Sequence, residues 1–346
     1  MKNAFKNKRI VVIFLALCLL LGTLCGVGCS THTDTTMRTY LMMDTVIEIT
    51  LYCDAAQAHP VLERCGEIMA EVEGHLSRTL PESNVSALNS EGQAALDGDT
   101  LEALRTARAV CERTNGAFDP TVGALVELWD RCGEEGRMPA TWELEAACAT
   151  VGSSHLQLTE NGTATLSSGT QLDLGAVGKG YAIDRVRAYL ESTDIPGGVI
   201  SFGGNVAVFG QKTNGKPYRI GVRDPKNTAG VLGYLSMSEG VISVSGDYER
   251  YVTINGVRYH HILDPATGYP AENGLHSVAV ICSDGAAADA LSTALFVMGL
   301  EKGMDFYHES DMDFEAIFVT DHEVILTDGL RTSGDFALAA STYRLQ

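Results

Sequence analysis

The chain has 346 residues, with 25 Lys and Arg against 44 Asp and Glu, a formal net charge of −19 and 45% hydrophobic residues. So acidic a chain lacks the basic footprint that a nucleic-acid backbone requires, which excludes nucleic acid as a partner class. After the first ~35 residues no Pro/Ser-rich linker, low-complexity run or fixed-period repeat divides it, so the remainder reads as one compact, enzyme-sized unit.

The N-terminus stands apart. Lys2, Lys6, Lys8 and Arg9 precede an apolar run from Ile10 to Leu21, and small residues then lead to Cys29, the layout of a secretory signal. The run is shorter than the ~20 residues of a spanning helix, which favours a signal over a permanent span. Gly26-Val27-Gly28-Cys29 resembles a bacterial lipobox, with Gly26 where Leu is usual. That resemblance implies lipidation of Cys29, export, and anchoring to the outer face of the cytoplasmic membrane. Residues 1–29 are expected to be the lipoprotein signal, 30–37 a tether, and 38–346 the folded domain. Loss of residues 1–28 removes four basic residues and no acidic one, leaving a formal charge of −23. Beyond the signal and Cys29, six of the nine cysteines remain: Cys53, Cys65, Cys111, Cys132, Cys148 and Cys282. An even number permits disulfides, while buried free thiols are an equal reading because no spacing selects a pairing.

In chain order, Val46 to Tyr52 reads as a strand. Val61, Leu62, Cys65, Ile68, Met69, Val72 and Leu76 recur at helical spacing. Asp99 is placed to cap a helix running to about Thr114, stopped by Asn115-Gly116, and Thr121–Asp130 and Thr141–Ala149 read as shorter helices. His155–Leu158 and Thr163–Leu166 flank Asn161-Gly162 as a hairpin, and helix 179–191 follows a glycine turn. Strands are then expected at Gly198–Phe209, Tyr218–Val222, Val231–Met237, Val241–Ser245, Tyr251–Ile254 and, after Asn255-Gly256, Arg258–Leu263. Ser277–Ile281, an apolar helix over Ala286–Met298, and Phe314–Val319 with Val324–Leu326 close the pattern. Strand runs and helices do not alternate regularly, so the fold class is α+β rather than a doubly wound parallel sheet.

Chemistry concentrates in three places. Leu172 to Tyr181 carries Gly175, Gly178, Lys179 and Gly180 at a helix start, a junction suited to a phosphorylated ligand. It is not a P-loop, because Asp173 and Gly180 stand where that motif needs glycine and Ser or Thr. Lys179 at a helix N-terminus meets the dipole unfavourably; a phosphate partner explains it, and so does a solvated first-turn lysine. Asp289 and Thr293 lie four apart on one helix face and offer two hard oxygens suited to Mg²⁺; a cap and a hydroxyl bonded back into the helix is the structural alternative. His260 and His261 are equal candidates on chemistry alone, and strand alternation sends only one of them toward a ligand.

Six segments in order carry a family resemblance: Thr114 to Gly123, the glycine-lysine segment, Gly203-Gly204-Asn205, Val241 to Gly246, His261 to Pro270, and Asp289 to Ala294. Together they resemble the ApbE-type FAD:protein FMN transferases, from about Met43 to the last strands. The resemblance implies a T-fold-like α+β architecture of mixed sheets with flanking helices, with FAD as substrate and Mg²⁺ held by Ala176, Asp289 and Thr293. It implies FAD contacts from Met43, Ala117, Phe118, Asp119, Asp173, Lys179 and Leu263. Its His-Ile-x-Asp-Pro-x-Thr-Gly motif selects His261 as the general base. The implied partner is an acceptor flavoprotein bearing Asp-Ser/Thr-Gly/Ala-Ala-Ser/Thr, a pattern absent from this chain, plausibly within a membrane redox complex. FAD hydrolysis to FMN and AMP, or flavin binding without turnover, are the rival readings. One position departs from the family: Thr79 stands where relatives often carry an aromatic that stacks on the flavin, leaving Arg78, Tyr181 and Tyr248 as substitutes.

Overall fold

The computed structural model describes residues 34–212 and 214–346. The expected signal 1–29, with Cys29, lies outside the described residues. Among those described, no helix is long and apolar enough to cross a membrane.

Strands β1 (Thr36–Met42) and β2 (Thr45–Leu51) pair antiparallel around Met43 and Asp44. Thr36 and Met37, expected in the tether, are thus the first residues of the sheet. Helix α1 (Ala55–Leu76) is capped by Asp54, which accepts from Gln57 N at 2.9 Å. It buries Leu62, Cys65, Ile68, Met69, Val72 and Leu76, the stripe its spacing predicts. After α2 (Asn84–Glu91) and β3 (Gln93–Ala95), α3 (Gly98–Arg113) is capped by Asp97 and not by Asp99. Asp97 Oδ1 takes Thr100 N at 2.7 Å. Helices α4 (Gly123–Glu135) and α5 (Thr141–Cys148) precede β4 (Leu156–Leu158) and β5 (Thr163–Leu166), the expected hairpin.

Helix α6 (Gly175–Glu191) begins four residues before the expected start, so Lys179 lies in its second turn rather than its first. No strand leads into it; only an isolated bridge joins Val122 and Gln171. The single strand expected over Gly198–Phe209 is a hairpin, β6 (Gly197–Phe202) and β7 (Asn205–Gly210), turning at Gly203-Gly204. Then come β8 (Tyr218–Arg223), β9 (Val231–Met237), β10 (Gly240–Gly246), the hairpin β11 (Tyr251–Ile254) and β12 (Val257–His260), and β13 (Leu275–Cys282). Helix α7 (Gly285–Glu309) runs past the expected Met298 but breaks at Gly299. Last are β14 (Glu315–Thr320), β15 (Glu323–Leu326), α8 (Asp328–Ser333), β16 (Phe336–Leu338) and β17 (Arg344–Leu345).

The main sheet has nine strands in the order β1-β2-β6-β7-β10-β13-β14-β15-β17, with smaller sheets β16-β9-β8 and β3-β5-β4 and the β11-β12 hairpin. This is the expected mixed α+β architecture. Period-two alternation divides the core. On β10, Val241 joins the cluster under α1, α6 and α7, while Ile242 joins Val208, Leu235 and Phe336 on the other face. A third cluster, with Leu128, Trp129, Leu144, Ile254 and Leu263, fixes α4 and α5 to the β11-β12 hairpin. The six described cysteines are free thiols, four of them buried, so the disulfide alternative does not hold among them.

Helices α6 and α7 meet backbone to backbone. A Cβ on Gly180 would lie 2.0 Å from the Gly285 carbonyl oxygen, and one on Gly285 would lie 2.7 Å from that of Gly180. Asp184 of α6 then caps α7, accepting from Gly285 N at 3.0 Å and Ala286 N at 2.9 Å. Burial pushes its carboxyl up to about 6 even against these bonds. Gly180→Ala must force the helices apart, so it should destabilise the fold by at least about 3 kcal/mol, the upper range for overpacking. A urea-unfolding midpoint unchanged from wild type would show that the contact is looser than this.

Candidate active site

The C-terminal end of β10, the start of α6, the first turns of α7 and the segment after β12 enclose a cleft of 930 Å³. That is near the top of the ~300–1,000 Å³ usual for ligand sites. All eleven residues singled out from the sequence line it: Met43, Ala117, Phe118, Asp119, Asp173, Ala176, Lys179, His261, Leu263, Asp289 and Thr293.

One wall is built around Asp289, which is 3% exposed. Its Oδ1 accepts from Asn205 Nδ2 at 2.9 Å and Ser243 Oγ at 3.2 Å, and its Oδ2 accepts from Gly180 N at 3.1 Å. Lys179 Nζ lies 3.4 Å from Oδ1. The single Ser243 hydroxyl proton is shared with Asn205 Oδ1, the nearer acceptor at 2.8 Å. Thr293 Oγ1 sits 3.1 Å from Ser245 Oγ and 3.4 Å from the Asp289 carbonyl oxygen, so it both faces the cleft and bonds back into its helix. Asn205, Ser243 and Ser245 were not assigned roles from the sequence. The signal that could have found them is strand parity, since it puts the two serines on the helix-facing side of β10.

Two of the expected ligand carboxylates are largely occupied by the fold. Asp119 Oδ1 accepts from Thr121 N at 2.8 Å and Thr121 Oγ1 at 2.6 Å. Asp173 Oδ1 accepts from Gly175 N at 2.7 Å, and its Oδ2 pairs with Arg78 Nε at 2.9 Å. Met43 and Asp44 both adopt left-handed backbone, at φ 52° and 55°, the signature of a two-residue hairpin turn. Met43 N is held by Glu73 Oε1 at 3.0 Å. Phe118 is buried in the main core as well as lining the cleft. Of the three groups left to replace the missing aromatic at Thr79, Arg78 is taken by Asp173 and Asp130. Tyr181 is taken by Asp99 and Glu102, away from the cleft. Tyr248 remains, and it lines the cleft with its hydroxyl pushed up by burial and then by Glu249.

The opposite wall carries the histidines. Asp264 closes the turn after His261: Asp264 Oδ1 accepts from Ala266 N at 2.9 Å, and Oδ2 from Thr267 Oγ1 at 3.1 Å. Trp129 Nε1 pins the same turn by donating to the Gly268 carbonyl at 2.8 Å. A Cβ on Gly268 would meet Cys148 Sγ at 2.7 Å, so only glycine fits there. The Asp-Pro-x-Thr-Gly run is therefore a self-bonded turn that begins three residues after His261.

His260 and His261 face different surroundings. His260 Nε2 donates to the Ala271 carbonyl at 3.1 Å, and its ring meets Phe296 edge-on at 5.6 Å. Its Nδ1 is buried without a partner. His261 is a bend residue just beyond β12 with its side chain open to cleft solvent, and its Nδ1 lies 3.1 Å from the Arg250 carbonyl oxygen. A carbonyl only accepts, so the proton is on Nδ1 and the lone pair on Nε2. The surrounding cleft walls depress its pKa to about 4, chiefly by desolvation, with Lys179 and Arg250 adding repulsion. Glu249 also faces this space; burial raises its pKa, against the pull of Lys179 and Arg223.

A shielded carboxylate, a lysine, glycine-bared backbone and a neutral imidazole around one large cleft are the equipment of a group-transfer enzyme for a phosphate-bearing substrate. The ApbE family model matches residues 43–318. An FAD:protein FMN transferase of Treponema pallidum is 31% identical over 322 residues, 84% of this chain and 87% of that protein. The crystal structure of an ApbE protein from Thermotoga maritima superposes with a TM-score of 0.81 at 34% identity, covering 86% of this chain and 99% of that one. The flavin transferase ApbE of Vibrio cholerae gives 0.73 at 28% identity, covering 90% and 98%. The chain belongs to the ApbE family.

The imidazole of His261 should remain neutral from pH 8 to about 5 and titrate near pH 4, against 6.5 for an unperturbed ring. The unfolded chain then takes up this proton first, so the group costs the fold stability as pH falls from 6.5 toward 4. Nitrogen-15 shifts of labelled histidine check this, and a His261 titration near 6.5 would contradict it.

Proposed function

We propose that this protein transfers the FMN half of FAD to a Ser or Thr hydroxyl of a second protein and releases AMP. The observation that carries the reading is the imidazole of His261, tied through Nδ1 to the Arg250 carbonyl so that Nε2 is left to accept a proton, in the same cleft as Lys179 and Asp289. The names and near-complete coverage of the relatives support it.

His261 Nε2 takes the proton of the acceptor hydroxyl, whose oxygen bonds to the phosphorus on the riboflavin side. The phosphoanhydride bond breaks and its electron pair leaves on AMP. Lys179 supplies positive charge for the phosphates beside the glycine-rich start of α6, whose Gly175, Val177 and Gly178 N–H groups are already bonded within the fold, and Tyr248 and Phe118 offer aromatic surface for the flavin. Such catalysis is mostly positioning and charge stabilisation in a walled site.

The donors fit Mg²⁺. Asp289, Thr293 and the Ala176 carbonyl are hard oxygens on one wall, and Mg²⁺ takes one or two carboxylates, completing its shell with water and substrate phosphate. Among the described residues no group of three or more His, Cys, Asp or Glu could hold a metal, so the ion would be shared with the substrate. When bound, it would neutralise pyrophosphate charge. The acceptor we infer carries the Asp-Ser/Thr-Gly/Ala-Ala-Ser/Thr pattern. A signal over 1–29 with lipid on Cys29 would place the domain from 38 to 346 outside the cytoplasmic membrane, facing a redox complex.

Intact-mass analysis after incubation with FAD, Mg²⁺ and a domain bearing the pattern should show an FMN adduct and AMP. FMN and AMP without adduct would mean a pyrophosphatase, and retained FAD without turnover a binding protein. His261→Asn should slow single-turnover transfer by about 10²- to 10⁴-fold, the contribution of a general base, with FAD affinity preserved. His260→Asn should keep the rate and lower the melting temperature, since that ring serves packing; a loss of rate confined to His260→Asn would move the base to it. Separately, Cys29→Ser should abolish incorporation of labelled fatty acid, and a wild-type chain that is cytoplasmic and unlabelled would refute export and anchoring together.

A further inference from the structure

Four donors hold the Asp289 carboxylate, and three of them are fixed. Gly180 N belongs to the backbone, and Asn205 and Ser243 are fully buried on strands. Lys179 differs. Its Nζ lies 3.4 Å from Oδ1, 3.5 Å from Oδ2 and 3.2 Å from the Gly175 carbonyl oxygen, and the side chain is 24% exposed on a flexible four-carbon stem. An ammonium astride both carboxylate oxygens occupies the ground on which a divalent cation at Asp289 would settle.

We propose that Lys179 is a displaceable cation: it holds Asp289 until a divalent ion takes the carboxylate, and then moves to the substrate phosphates on the same wall. The inference rests on the reading of Asp289 as a cation ligand. Two observations favour exchange over a permanent pair. The ammonium contacts are the longest of the four donors', whereas a settled charge-assisted bond is shorter, at about 2.7–2.9 Å. A buried carboxylate left without a counter-charge is strongly unfavourable, so some cation must stay until its replacement arrives. Lysine and ion repel each other at one carboxylate, so metal alone has to evict the lysine, and the eviction is compensated only when phosphate receives it. Metal and nucleotide should therefore bind with positive, reciprocal coupling.

The probe is Mn²⁺, titrated into the full chain and followed by electron paramagnetic resonance with and without FAD; flavin fluorescence reports FAD affinity. In wild type, FAD should tighten Mn²⁺ binding. In Lys179→Met, Mn²⁺ alone should bind about tenfold tighter, FAD with Mn²⁺ about tenfold weaker, and the coupling should shrink, within the usual range for linked sites. Lys179→Gln, which keeps a polar end, should move both affinities the same way and stands in if the first variant misfolds. An independent reading uses wild type: mass-spectrometric labelling of Lys179 by an amine reagent should speed up with Mn²⁺ alone and slow down with Mn²⁺ and FAD. Mn²⁺ affinity equal to wild type or weaker in both variants, or labelling indifferent to Mn²⁺, overturns the exchange alone. If Mn²⁺ binds neither wild type nor variants, the reading of Asp289 falls with it.

Discussion

A carboxylate buried in the core is the constraint on which this structure turns. Removing the Asp289 charge from water is tolerable only when donors surround it, and here they come from α6, β7 and β10. Each donor imposes its own condition on the chain. Gly180 N reaches Oδ2 because α6 and α7 touch backbone to backbone, which requires glycine at both 180 and 285. Asn205 reaches Oδ1 because a two-residue turn returns β7 beside β6 with Phe202 opposite Asn205. Ser243 reaches it because strand parity aims it at the helix layer. Segments some hundred residues apart in sequence are one hydrogen-bonded group.

The other wall obeys a different rule. His261 lies just past a strand end, where a ring would ordinarily swing into solvent. It is held because its backbone N and its ring Nδ1 both meet the Arg250 carbonyl, and because the Asp264 turn behind it is anchored by Trp129. Tying Nδ1 fixes the tautomer, and the flanking cleft walls with the Lys179 and Arg250 charges disfavour the imidazolium. The same residue types without that turn would give an ordinary, mobile histidine. One wall thus concentrates charge and the other supplies a neutral base, and the cleft between them is where a phosphate and a hydroxyl could meet.

Much of this was legible in the sequence where a local rule applied. The α1 stripe and the Asn161-Gly162 and Asn255-Gly256 hairpins follow from periodicity and turn chemistry. Strand alternation does not separate His260 from His261, because the strand ends at His260 and both residues line the cleft. What was not legible depended on partners far along the chain. Asp97 rather than Asp99 caps α3 because Asp99 is drawn to Tyr181 and Arg185, which no local pattern announces. Leu172 to Leu174 alternates like a strand but joins no ladder: Asn89 brackets the Leu172 backbone, and Asp173 N donates to the Pro120 carbonyl. Lys179 looked like a first-turn residue because its glycines resembled a loop, whereas Gly175, Gly178 and Gly180 are helical, and Gly180 serves helix contact. Asn205 was visible as part of a motif, and its role became clear only once Asp289 was seen beside it.

Net charge sets the last condition. A formal charge of −19 would seem to repel a pyrophosphate as firmly as it repels a nucleic acid, yet the two cases differ in range. Exposed charges more than ~8 Å apart are largely screened at physiological ionic strength. A polymer must lie along that outer surface and meets its acidic residues at contact distance. A dinucleotide that enters the cleft instead meets Lys179, Arg223 and Arg250 at close range, while Asp119, Asp173 and Asp289 among the lining carboxylates are already engaged by donors of the fold. The acidic exterior therefore excludes extended polyanions and leaves a local site for a small one, so composition and cleft chemistry agree once distance is taken into account.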